Sequence, residues 1–387
     1  MQLFETVPHD QLYRRYWYRS GVNEAMREEL RSIVRSAAAY VNLVPGDVVL
    51  DIGSNDGTLL ACYPEELLRV GVDPSDVARQ APFYKGPNAV LVNDFYSAPA
   101  VAAAVPGRAR VVTIVATFYD VEHPKEFLDD VRKIIHDDGL LVIQLSYTPL
   151  MLQANEFGAI CHEHLCYYTF ATLQSLLCRS GFAVIDAQLN GTNGGSLRVY
   201  ATIAGRERSL RCPAHWLYVG ACRSAALLQF ERQRHFDRPE PYRRFMRRVQ
   251  RLKTETVRWL ERARDGGATV VGYGASTKGN VMLQYYGVTR DLLPCIADRS
   301  PAKWGLYTAG TGIPVIPEAE MRAMRPDFLF VLPWFFASTF VDRERDLITA
   351  GTRIVLPLPE LTVLDIGGLG SAVCASTREA PRATGSS

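Results

Sequence analysis

The sequence predicts two α/β domains, each built on a mostly parallel sheet, with a helical stretch between them. The chain has 387 residues, more than one ordinary hydrophobic core needs. Short apolar strands alternate with helical stretches in two separate regions, and a basic helical pattern lies between these regions. The expected segments are a helical lid at 1–45, a first α/β domain at 46–205, a helical connector at 206–266, a second, smaller α/β domain at 267–375 and a disordered tail at 376–387.

Composition narrows the class of partner. The chain contains 43 Lys and Arg residues and 41 Asp and Glu residues. The resulting net charge of +2 does not indicate a nucleic acid or an anionic membrane as the binding partner. No apolar run has the length of a transmembrane helix, and the first residues lack the order of a signal peptide, so we expect a cytoplasmic protein without a membrane partner. The 8 cysteines form no Cys-x-x-Cys pair, so neither a disulfide framework nor a metal site is expected. We expect a monomer or a weak homodimer that acts on a small molecule.

The first α/β domain is predicted to follow a helix that leads directly into a strand. Apolar residues recur at helical spacing from Met26 to Val41, and the turn at 45–47 then precedes the apolar run Val48–Ile52. A helix followed by a strand is the usual entry to a doubly wound sheet. Further strands are predicted at Arg69–Val72, Ala89–Val92, Val111–Ala116, Leu140–Leu145, Ala183–Ala187 and Leu197–Thr202.

The connector has a helical and basic pattern. The segment between Tyr242 and Asp265 contains nine Lys or Arg residues and three Asp or Glu residues. This pattern is more typical of a solvated helix face than of a nucleic-acid surface. The side chains expected to turn inward are Phe245, Val249, Leu252 and Trp259. The strands predicted for the second domain are Thr269–Ala275, Cys295–Asp298, Asp327–Leu332 and Arg353–Leu356.

The first predicted strand ends in an acidic, glycine-rich turn. Gly53 and Gly57 allow the backbone to approach a bulky ligand, and the residues that follow present free N–H groups. The carboxylate of Asp51 can orient the cationic amino-acid end of S-adenosylmethionine (SAM), and Asn55 lies in the same turn. The spacing Gly-x-x-x-Gly favours SAM over a dinucleotide, although a NAD-type turn and a plain structural turn remain as alternatives.

Two further strand ends complete the predicted cofactor site. Asp73 follows the second strand, where an acid binds ribose hydroxyls in doubly wound folds. Asp94 and Phe95 follow the third strand, where Asp94 can accept a hydrogen bond from the adenine amine and Phe95 can cover the ring. The first α/β domain is therefore predicted to be a class I SAM-dependent methyltransferase (Rossmann-like) domain, followed by a second, smaller Rossmann-like domain.

A run of bases and acids lies at Cys161-His162-Glu163-His164. Metal binding is the least favoured interpretation, because ligands so close in sequence rarely converge on one ion. A structural role at a strand end is the second interpretation. In the third, which we favour, one histidine abstracts a proton while the glutamate orients it, since an imidazole is poised near neutral pH.

Motifs along nearly the whole chain fit one family. They are Arg19-Ser20-Gly21, the turn from Asp51 to Gly57, Glu163-His164-Leu165, the segment from Gly194 to Tyr200, Gly272-Tyr273-Gly274-Ala275, Lys278-Gly279-Asn280, and Asp298 with Lys303. In these motifs the chain resembles the SAM-dependent sugar C-methyltransferases. Members of that family methylate C3 of nucleotide-linked 4-keto-deoxysugars in antibiotic and polysaccharide pathways.

The resemblance implies roles for particular residues. His164 would be the base, Glu163 would lie beside it, and Tyr18 of the amino-terminal segment would reach the site. Tyr119 is a second candidate for donating to the oxyanion that forms when a proton leaves the carbon next to a ketone. The expected acceptor contacts are His162, Asn193 and Gly194. The second domain would close over the nucleotide end of the substrate.

The chain departs from the family pattern in four places. It lacks the four-cysteine zinc module at the amino terminus, so no structural zinc is expected. Cys161 stands where members have a tyrosine and is a weaker donor, and Asn193 stands where histidine is common. The loop at 116–122 lacks the family's asparagine and histidine. An O- or N-methyltransferase and a non-catalytic SAM-binding protein therefore remain as alternatives to a nucleotide-sugar C-methyltransferase.

A second glycine-rich turn, at 272–278, opens the second domain. A strand-to-helix turn with hydroxyls and a lysine can hold a phosphate, although such turns are also common as structure alone. On the phosphate interpretation Lys278 would pair with the negative charge, and Tyr273 would contact the substrate.

Overall fold

The computed structural model describes Leu3 and residues 7–364, and the described chain divides into two compact units. The first unit contains the chain up to residue 148 together with 162–237. The second unit contains 149–161 and the chain from residue 238 onward. The predicted tail at 376–387 and the end of the predicted second domain lie outside the described residues. None of the helices in the described ranges combines the length and the apolar content that a membrane crossing requires.

The first unit is built on a seven-stranded sheet with the order β3-β2-β1-β4-β5-β7-β6. Its strands are β1 Val48–Ile52, β2 Leu68–Val72, β3 Ala89–Val92, β4 Ala109–Val115, β5 Ile135–Ser146, β6 Phe182–Asn190 and β7 Ser196–Ile203. The first five strands are parallel, and β7 runs antiparallel to both of its neighbours. The predicted α/β class of this unit is therefore confirmed.

The helices that accompany this sheet begin near the amino terminus. They are α1 His9–Tyr13, α2 Glu24–Tyr40, α3 Asp76–Gln80, α4 Ala98–Ala104, α5 Pro124–Ile134, α7 Phe170–Arg179 and α8 Ala214–Gln233, while α6, Thr148–Gln153, lies in the second unit except for its first residue. Helix α2 is capped by Asn23, whose side chain accepts from the Ala25 N–H and so satisfies one free donor of the first turn. The apolar face of α2, with Ile33 and Ala37 fully buried, packs on the same core as Val111 of β4.

The topology of this sheet determines where a ligand can bind. Strand β1 lies between β2 and β4. Strands β2 and β3 extend the sheet on one side of β1, and the chain then crosses over so that β4 and β5 extend it on the other side. Ligands of open α/β sheets bind at the carboxyl ends of the strands at such a reversal. The predicted glycine turn follows β1, and the loop 116–122 follows β4, so both predicted site segments lie at this reversal.

The second unit is built on a six-stranded sheet with the order β10-β9-β8-β11-β12-β13, in which only the β12–β13 pair is antiparallel. Its strands are β8 Val270–Tyr273, β9 Ile296–Asp298, β10 Val315–Pro317, β11 Phe328–Val331, β12 Arg353–Leu356 and β13 Thr362–Leu364. Its helices from residue 240 on are α9 Glu240–Asp265, α10 Thr277–Tyr286, α11 Glu318–Met324, α12 Ala337–Arg343 and α13 Arg345–Thr349. This arrangement confirms the predicted second, smaller α/β sheet.

The predicted connector at 206–266 is not a separate element. Helix α8 packs on β6 of the first unit, where a Cβ on Gly220 would lie 2.1 Å from the Ile185 carbonyl oxygen. Helix α9 belongs to the second unit and buries Phe245, Val249 and Leu252, as its apolar spacing predicts. Helix α9 is thus held in its unit by an apolar face, whereas the residues that α8 buries are Gly220, Ser224 and Glu231.

Candidate active site

The turn after β1 has an unusual backbone that fits a site of close ligand approach. Gly53, Asn55 and Gly57 all have positive φ values, of 80°, 50° and 78°. Glycine tolerates this region without strain, and asparagine is among the few other residues that do. A Cβ on Gly53 would lie 2.1 Å from the Thr117 hydroxyl oxygen, so the turn leaves no room for a side chain there.

Two carboxylates lie beneath this turn. Asp51 is 4% exposed and accepts a hydrogen bond from the Thr113 hydroxyl at 2.5 Å. Burial raises the pKa of Asp51 to about 7, and the nearby charge of Asp73 adds to the shift. Asp73 accepts from the Asn55 N–H at 2.8 Å and from the Ser75 N–H at 2.9 Å, so its carboxylate ties the glycine turn to the end of β2.

These groups fit the chemistry of SAM. A cationic ligand stabilises the ionised form of a buried carboxyl whose pKa is raised, and SAM carries two cationic groups, a sulfonium and an ammonium. Thr117 packs closely against the backbone at Gly53. The positive φ of Gly53 makes the chain turn at the end of β1. We therefore place the residues predicted from the sequence, Asp51, Gly53, Asn55, Gly57 and Asp73, in one cluster at the end of β1 and β2.

The expected adenine-binding residues are contacted by the amino-terminal segment. Arg14 donates to the Asp94 carboxylate at 3.1 Å, and its guanidinium lies 5.3 Å from the centroid of the Phe95 ring. The His9 ring lies 6.1 Å from the same phenylalanine. The Arg14 carbonyl accepts from the Asp76 N–H at 2.9 Å, so this segment is fixed to the start of α3 as well.

The same segment continues across the glycine turn. The Asn55 side chain donates to the Tyr18 carbonyl at 2.9 Å and accepts from the Ser20 N–H at 3.0 Å. The Gly21 N–H donates to Asp56 at 3.0 Å, and a Cβ on this glycine would come within 2.9 Å of Thr58. The Arg19-Ser20-Gly21 motif is therefore explained by its fit against the turn.

Tyr18, predicted to reach the site, contacts the glycine turn through its backbone carbonyl. Although the residue as a whole is 43% exposed, desolvation around its hydroxyl raises the pKa of that group, and the charge of Asp56 raises it further. The amino-terminal tyrosine that contacts the predicted catalytic run is Tyr13, whose hydroxyl donates to the Glu163 carbonyl at 3.1 Å. The role of Tyr18 stays a prediction, and Tyr13 is a second tyrosine of this segment that contacts the predicted catalytic run.

His164 and Tyr119, predicted independently, lie against each other. Their ring centroids are 4.3 Å apart at an interplanar angle of 57°. The Tyr119 carbonyl accepts from the N–H groups of Leu165 at 2.9 Å and Cys166 at 2.7 Å, so the loop after β4 holds the histidine segment by its backbone. Ala116, at the start of this loop, has a φ of 53°, which is strained for alanine and typical of functional sites.

Asp120 and Tyr13 complete this cluster and were not predicted. Burial raises the pKa of Asp120 well above its usual range, and the charge of Glu163 raises it further. Burial raises the pKa of Tyr13 as well, followed by the charges of Asp120 and Glu163. The loop at 116–122 was the one sequence signal for Asp120, and nothing in the sequence distinguishes Tyr13 from its neighbours.

The remaining predicted acceptor residues lie in exposed or turn positions of the first unit. His162 is exposed, and Asn193 and Gly194 have φ values of 54° and 88° in the turn before β7. Strand β7, which follows this turn, has a structural role, because its Arg198 is 5% exposed and donates to Gln144 at 2.7 Å. Across the described residues, no three His, Cys, Asp or Glu side chains form a group suited to a metal ion.

Tyr273, predicted to bind the substrate, is fully buried in the second unit. Its hydroxyl donates to Glu344 and lies 3.1 Å from Glu318, while Arg322 donates to both glutamates. The prediction of a ligand contact is therefore wrong, because the side chain points into the core and its hydroxyl is already partnered. An isolated Gly-Tyr-Gly pattern does not show which face of the strand the tyrosine takes.

The turn after β8 keeps features of a polar ligand site. Asp298 accepts from the Ala275 N–H at 2.9 Å and from the Lys303 ammonium at 3.0 Å, so the ends of β8 and β9 are joined. The Ser276 side chain caps α10 by accepting from the Gly279 N–H at 3.1 Å. The Lys278 ammonium lies 5.1 Å from the Phe335 ring centroid, which places its charge near the start of α10.

Comparison with known proteins assigns both parts of the chain. Residues 22–187 match the methyltransferase domain family, and residues 191–359 match the family of C-methyltransferase C-terminal domains. C-methyltransferase NovU of Streptomyces niveus is 27% identical over 365 residues, which cover 94% of this chain and 84% of that relative.

Solved structures match a smaller part of the chain. Magnesium protoporphyrin IX methyltransferase from Synechocystis PCC 6803 with bound SAH is 18% identical, with a TM-score of 0.36, over 47% of this chain and 88% of that chain. An S-adenosylmethionine-dependent methyltransferase from Clostridium acetobutylicum ATCC 824 is 10% identical, with a TM-score of 0.36, over 46% of this chain and 92% of that chain.

Proposed function

We propose that this chain, in which residues 22–187 match a methyltransferase domain and residues 191–359 match a C-methyltransferase C-terminal domain, is a SAM-dependent C-methyltransferase whose acceptor is a nucleotide-linked 4-keto-deoxysugar, methylated at C3. One observation carries the proposal. The imidazole of His164 lies against the Tyr119 ring, and the Tyr119 carbonyl holds the backbone of the histidine segment just after the carboxyl end of β4. Carbon methylation next to a ketone requires a base and a hydrogen-bond donor together, whereas transfer to a hydroxyl or amine needs only a modest base.

The cofactor would be held by the cluster at the ends of β1 and β2. When bound, SAM supplies an electrophilic methyl group, so the reaction at carbon needs no further activation of the donor. Asp51 would compensate the positive charge, and Asp73 would accept from the ribose hydroxyls. Asp94 and Phe95 would receive the adenine at the end of β3.

The acceptor would lose its proton to His164. The carbon at position 3 of a 4-keto-sugar becomes nucleophilic only when that proton is removed and the enolate oxygen is stabilised. The Tyr119 hydroxyl would donate to this oxygen, and the low accessibility of the site, with Tyr119 8% exposed, would strengthen the hydrogen bond. The protein's contribution is thus placement of base, donor and acceptor in a site with little water.

Within the second unit, the turn before α10 would hold a phosphate, with Lys278 as the charge partner. The serine cap of α10, the lysine at its first turn and the glycine turn before it provide N–H donors and a positive charge suited to a phosphate. Gly274 has a φ of 83°, and a Cβ there would lie 2.7 Å from Pro333, so this turn is also closely packed.

Exchange of carbon-bound hydrogen tests this proposal. A panel of nucleotide-linked 4-keto-6-deoxysugars is incubated with the protein in deuterated buffer, with and without SAM, and analysed by mass spectrometry. The proposal predicts deuterium uptake at C3 without SAM and a C3 methyl group with SAM, and His164→Ala should lose both. Methylation at oxygen or nitrogen would indicate the alternative transferase class, and SAM binding with neither event would indicate a different acceptor.

A further inference from the structure

Gln144, near the carboxyl end of β5, is a buried polar side chain that the proposed reaction does not use. The residue is 3% exposed. In the sheet it lies between Val115 of β4 and Arg198 of β7. The N–H of Ala116, the first residue of the loop after β4, donates to the Gln144 carbonyl at 2.9 Å. Gln144 therefore lies where the loop that carries Tyr119 begins.

The orientation of the Gln144 amide is fixed by groups that can only donate. Its Oε1 atom accepts from Arg198 Nε at 2.7 Å and from Asn190 Nδ2 at 3.1 Å. A guanidinium has no acceptor, so the amide atom that faces Arg198 must be the oxygen. The Asn190 amide is fixed in the same way, because its Oδ1 accepts from the Thr192 N–H at 3.0 Å. The other end of the Gln144 amide is therefore the NH₂ group.

This NH₂ group is a donor without an acceptor in the protein. Within residues 7–364 and at Leu3, no atom accepts a hydrogen bond from Gln144 Nε2. The Nε2 atom is nevertheless reached by solvent, although the residue as a whole is buried. A side chain that is held rigidly at its oxygen and open at its nitrogen is a preorganised donor for a ligand.

The groups that hold the amide are themselves fixed. Arg198 donates to Glu29 at 2.7 Å and to Ser32 at 3.0 Å, and both of these residues lie on α2. Asn190 joins the amide to the turn at 192–194, which contains the predicted acceptor contacts Asn193 and Gly194. Gln144 is therefore hydrogen-bonded to one predicted acceptor segment through Asn190, and to the loop 116–122 through its own carbonyl.

We propose that Gln144 is a substrate-binding residue whose Nε2 donates a hydrogen bond to an oxygen atom of the acceptor. The inference rests on the proposed function in taking the acceptor to be a sugar, whose hydroxyl and carbonyl oxygens accept hydrogen bonds. Because the NH₂ group can only donate, it selects an oxygen at this position and disfavours an ammonium group there. Gln144 would thus contribute to the choice of acceptor and not to the binding of SAM.

Kinetics with the acceptor tests this role. In Gln144→Glu the carboxylate still accepts from Arg198 and Asn190, but it has no N–H to donate. The variant should lower kcat/KM for the acceptor roughly 10- to 100-fold, mainly by raising KM, because an acceptor oxygen loses its donor. Gln250→Glu makes the same change at an exposed glutamine of α9 and should leave both constants unchanged. An unchanged acceptor KM in a Gln144→Glu protein that melts like the wild type would overturn the proposal.

Two further measurements separate hydrogen bonding from charge and from cofactor binding. Gln144→Met removes the amide without adding a charge and should raise KM as well. A loss in Gln144→Glu alone would assign the effect to the added charge and overturn the proposal. SAM affinity, measured by calorimetry, should equal that of the wild type in both variants. Weaker SAM binding would assign the NH₂ group to the cofactor instead.

Nitrogen-15 NMR on protein labelled at glutamine tests the free donor without any acceptor. The signal of Gln144 is the one that disappears in Gln144→Glu. With SAM as the only ligand, its NH₂ protons should exchange with water about tenfold faster than those of Gln188, whose NH₂ group donates to Asp186 at 2.7 Å. Equal protection of the two groups would overturn the proposal. If no keto-sugar of the panel reacts, the proposed function fails, and the NMR result still decides whether the donor is free.

Discussion

The guanidinium of Arg14 lies 3.1 Å from the Asp94 carboxylate and stacks over the neighbouring Phe95 ring at 5.3 Å. One side chain of the amino-terminal segment therefore contacts both residues expected to receive adenine. The side chains of the ion pair are 46% and 62% exposed, so its direct contribution to stability is small. Its effect should instead be on the orientation of Asp94 and thus on cofactor binding.

Arg14→Ala should weaken SAM binding, by less than about tenfold, because an exposed pair orients a carboxylate only weakly. The dissociation constant is measured by calorimetry at low and high salt. The difference between variant and wild type should shrink at high salt, since screening weakens the wild-type contact. Arg15→Ala, a charge-matched change at the exposed neighbour, should have no effect. Equal loss in both variants would show that net charge, not this contact, matters.

His164→Ala should abolish turnover while SAM binding stays intact. Loss of a general base lowers the rate by roughly 10²- to 10⁴-fold, and the imidazole lies against the Tyr119 ring. Methyl transfer is followed by mass spectrometry and SAM affinity by calorimetry. His215→Ala, at an exposed histidine on α8, is the matched control and should keep full activity. Full activity in His164→Ala would remove the histidine from the base role.

The stability of the protein without cofactor should fall as pH rises between about 4 and about 7. Burial raises the folded-state pKa of Asp51 from 3.8 to about 7, so in this window the folded state binds the proton that the unfolded state has released. The loss is on the order of 1–4 kcal/mol, and Asp120, whose pKa is also raised, acts in the same direction. Denaturant unfolding at several pH values measures it.

Asp51→Asn is the variant that isolates this effect. It cannot ionise, so the slope of unfolding free energy against pH should become shallower, leaving the part due to Asp120. Asp129→Asn, on the exposed face of α5, should leave the slope unchanged. A slope equal to that of the wild type in Asp51→Asn would show that this carboxyl ionises normally in the folded protein.

Tyr273→Phe should destabilise the second unit without changing the acceptor KM. The hydroxyl is bonded to Glu344 in the core, and its removal leaves a buried acceptor short of a partner, which costs about 1–3 kcal/mol. Thermal unfolding and steady-state kinetics measure the two quantities. A raised KM with unchanged stability would restore the ligand contact that the sequence suggested.

Strands bounded by clear turn signals were predicted at their observed limits. Val48–Ile52 is a fully buried run between a Pro-Gly turn and a glycine turn, and Arg353–Leu356 is similarly isolated. Strands β10 and β13 were not predicted, whereas β9, which is also three residues long, was predicted within Cys295–Asp298. The methyltransferase fold and the SAM cofactor followed from long elements and a specific turn, and both were confirmed.

The site was predicted less completely than the fold. His164 and Tyr119 were identified from chemistry and resemblance, and the structure brings their rings together. Tyr13 and Asp120 were missed because their roles depend on a contact across 150 residues and on burial, neither of which leaves a local pattern. The same limit explains why Tyr273 was predicted to contact the substrate. Its side chain is directed into the core of the second unit, and the local sequence does not show this.

The chain leaves the first unit at residue 148, returns at 162, and leaves again at 237. Chimaeras between relatives therefore cannot be made with one junction. A chimaera that exchanges only the chain after 237 would keep a foreign 149–161 segment, in which Phe157 packs on Tyr286 and Glu156 accepts from Trp334. Exchange of acceptor preference by grafting the second unit requires both pieces to be moved together, with junctions just before Pro149, just before His162 and just before Arg238.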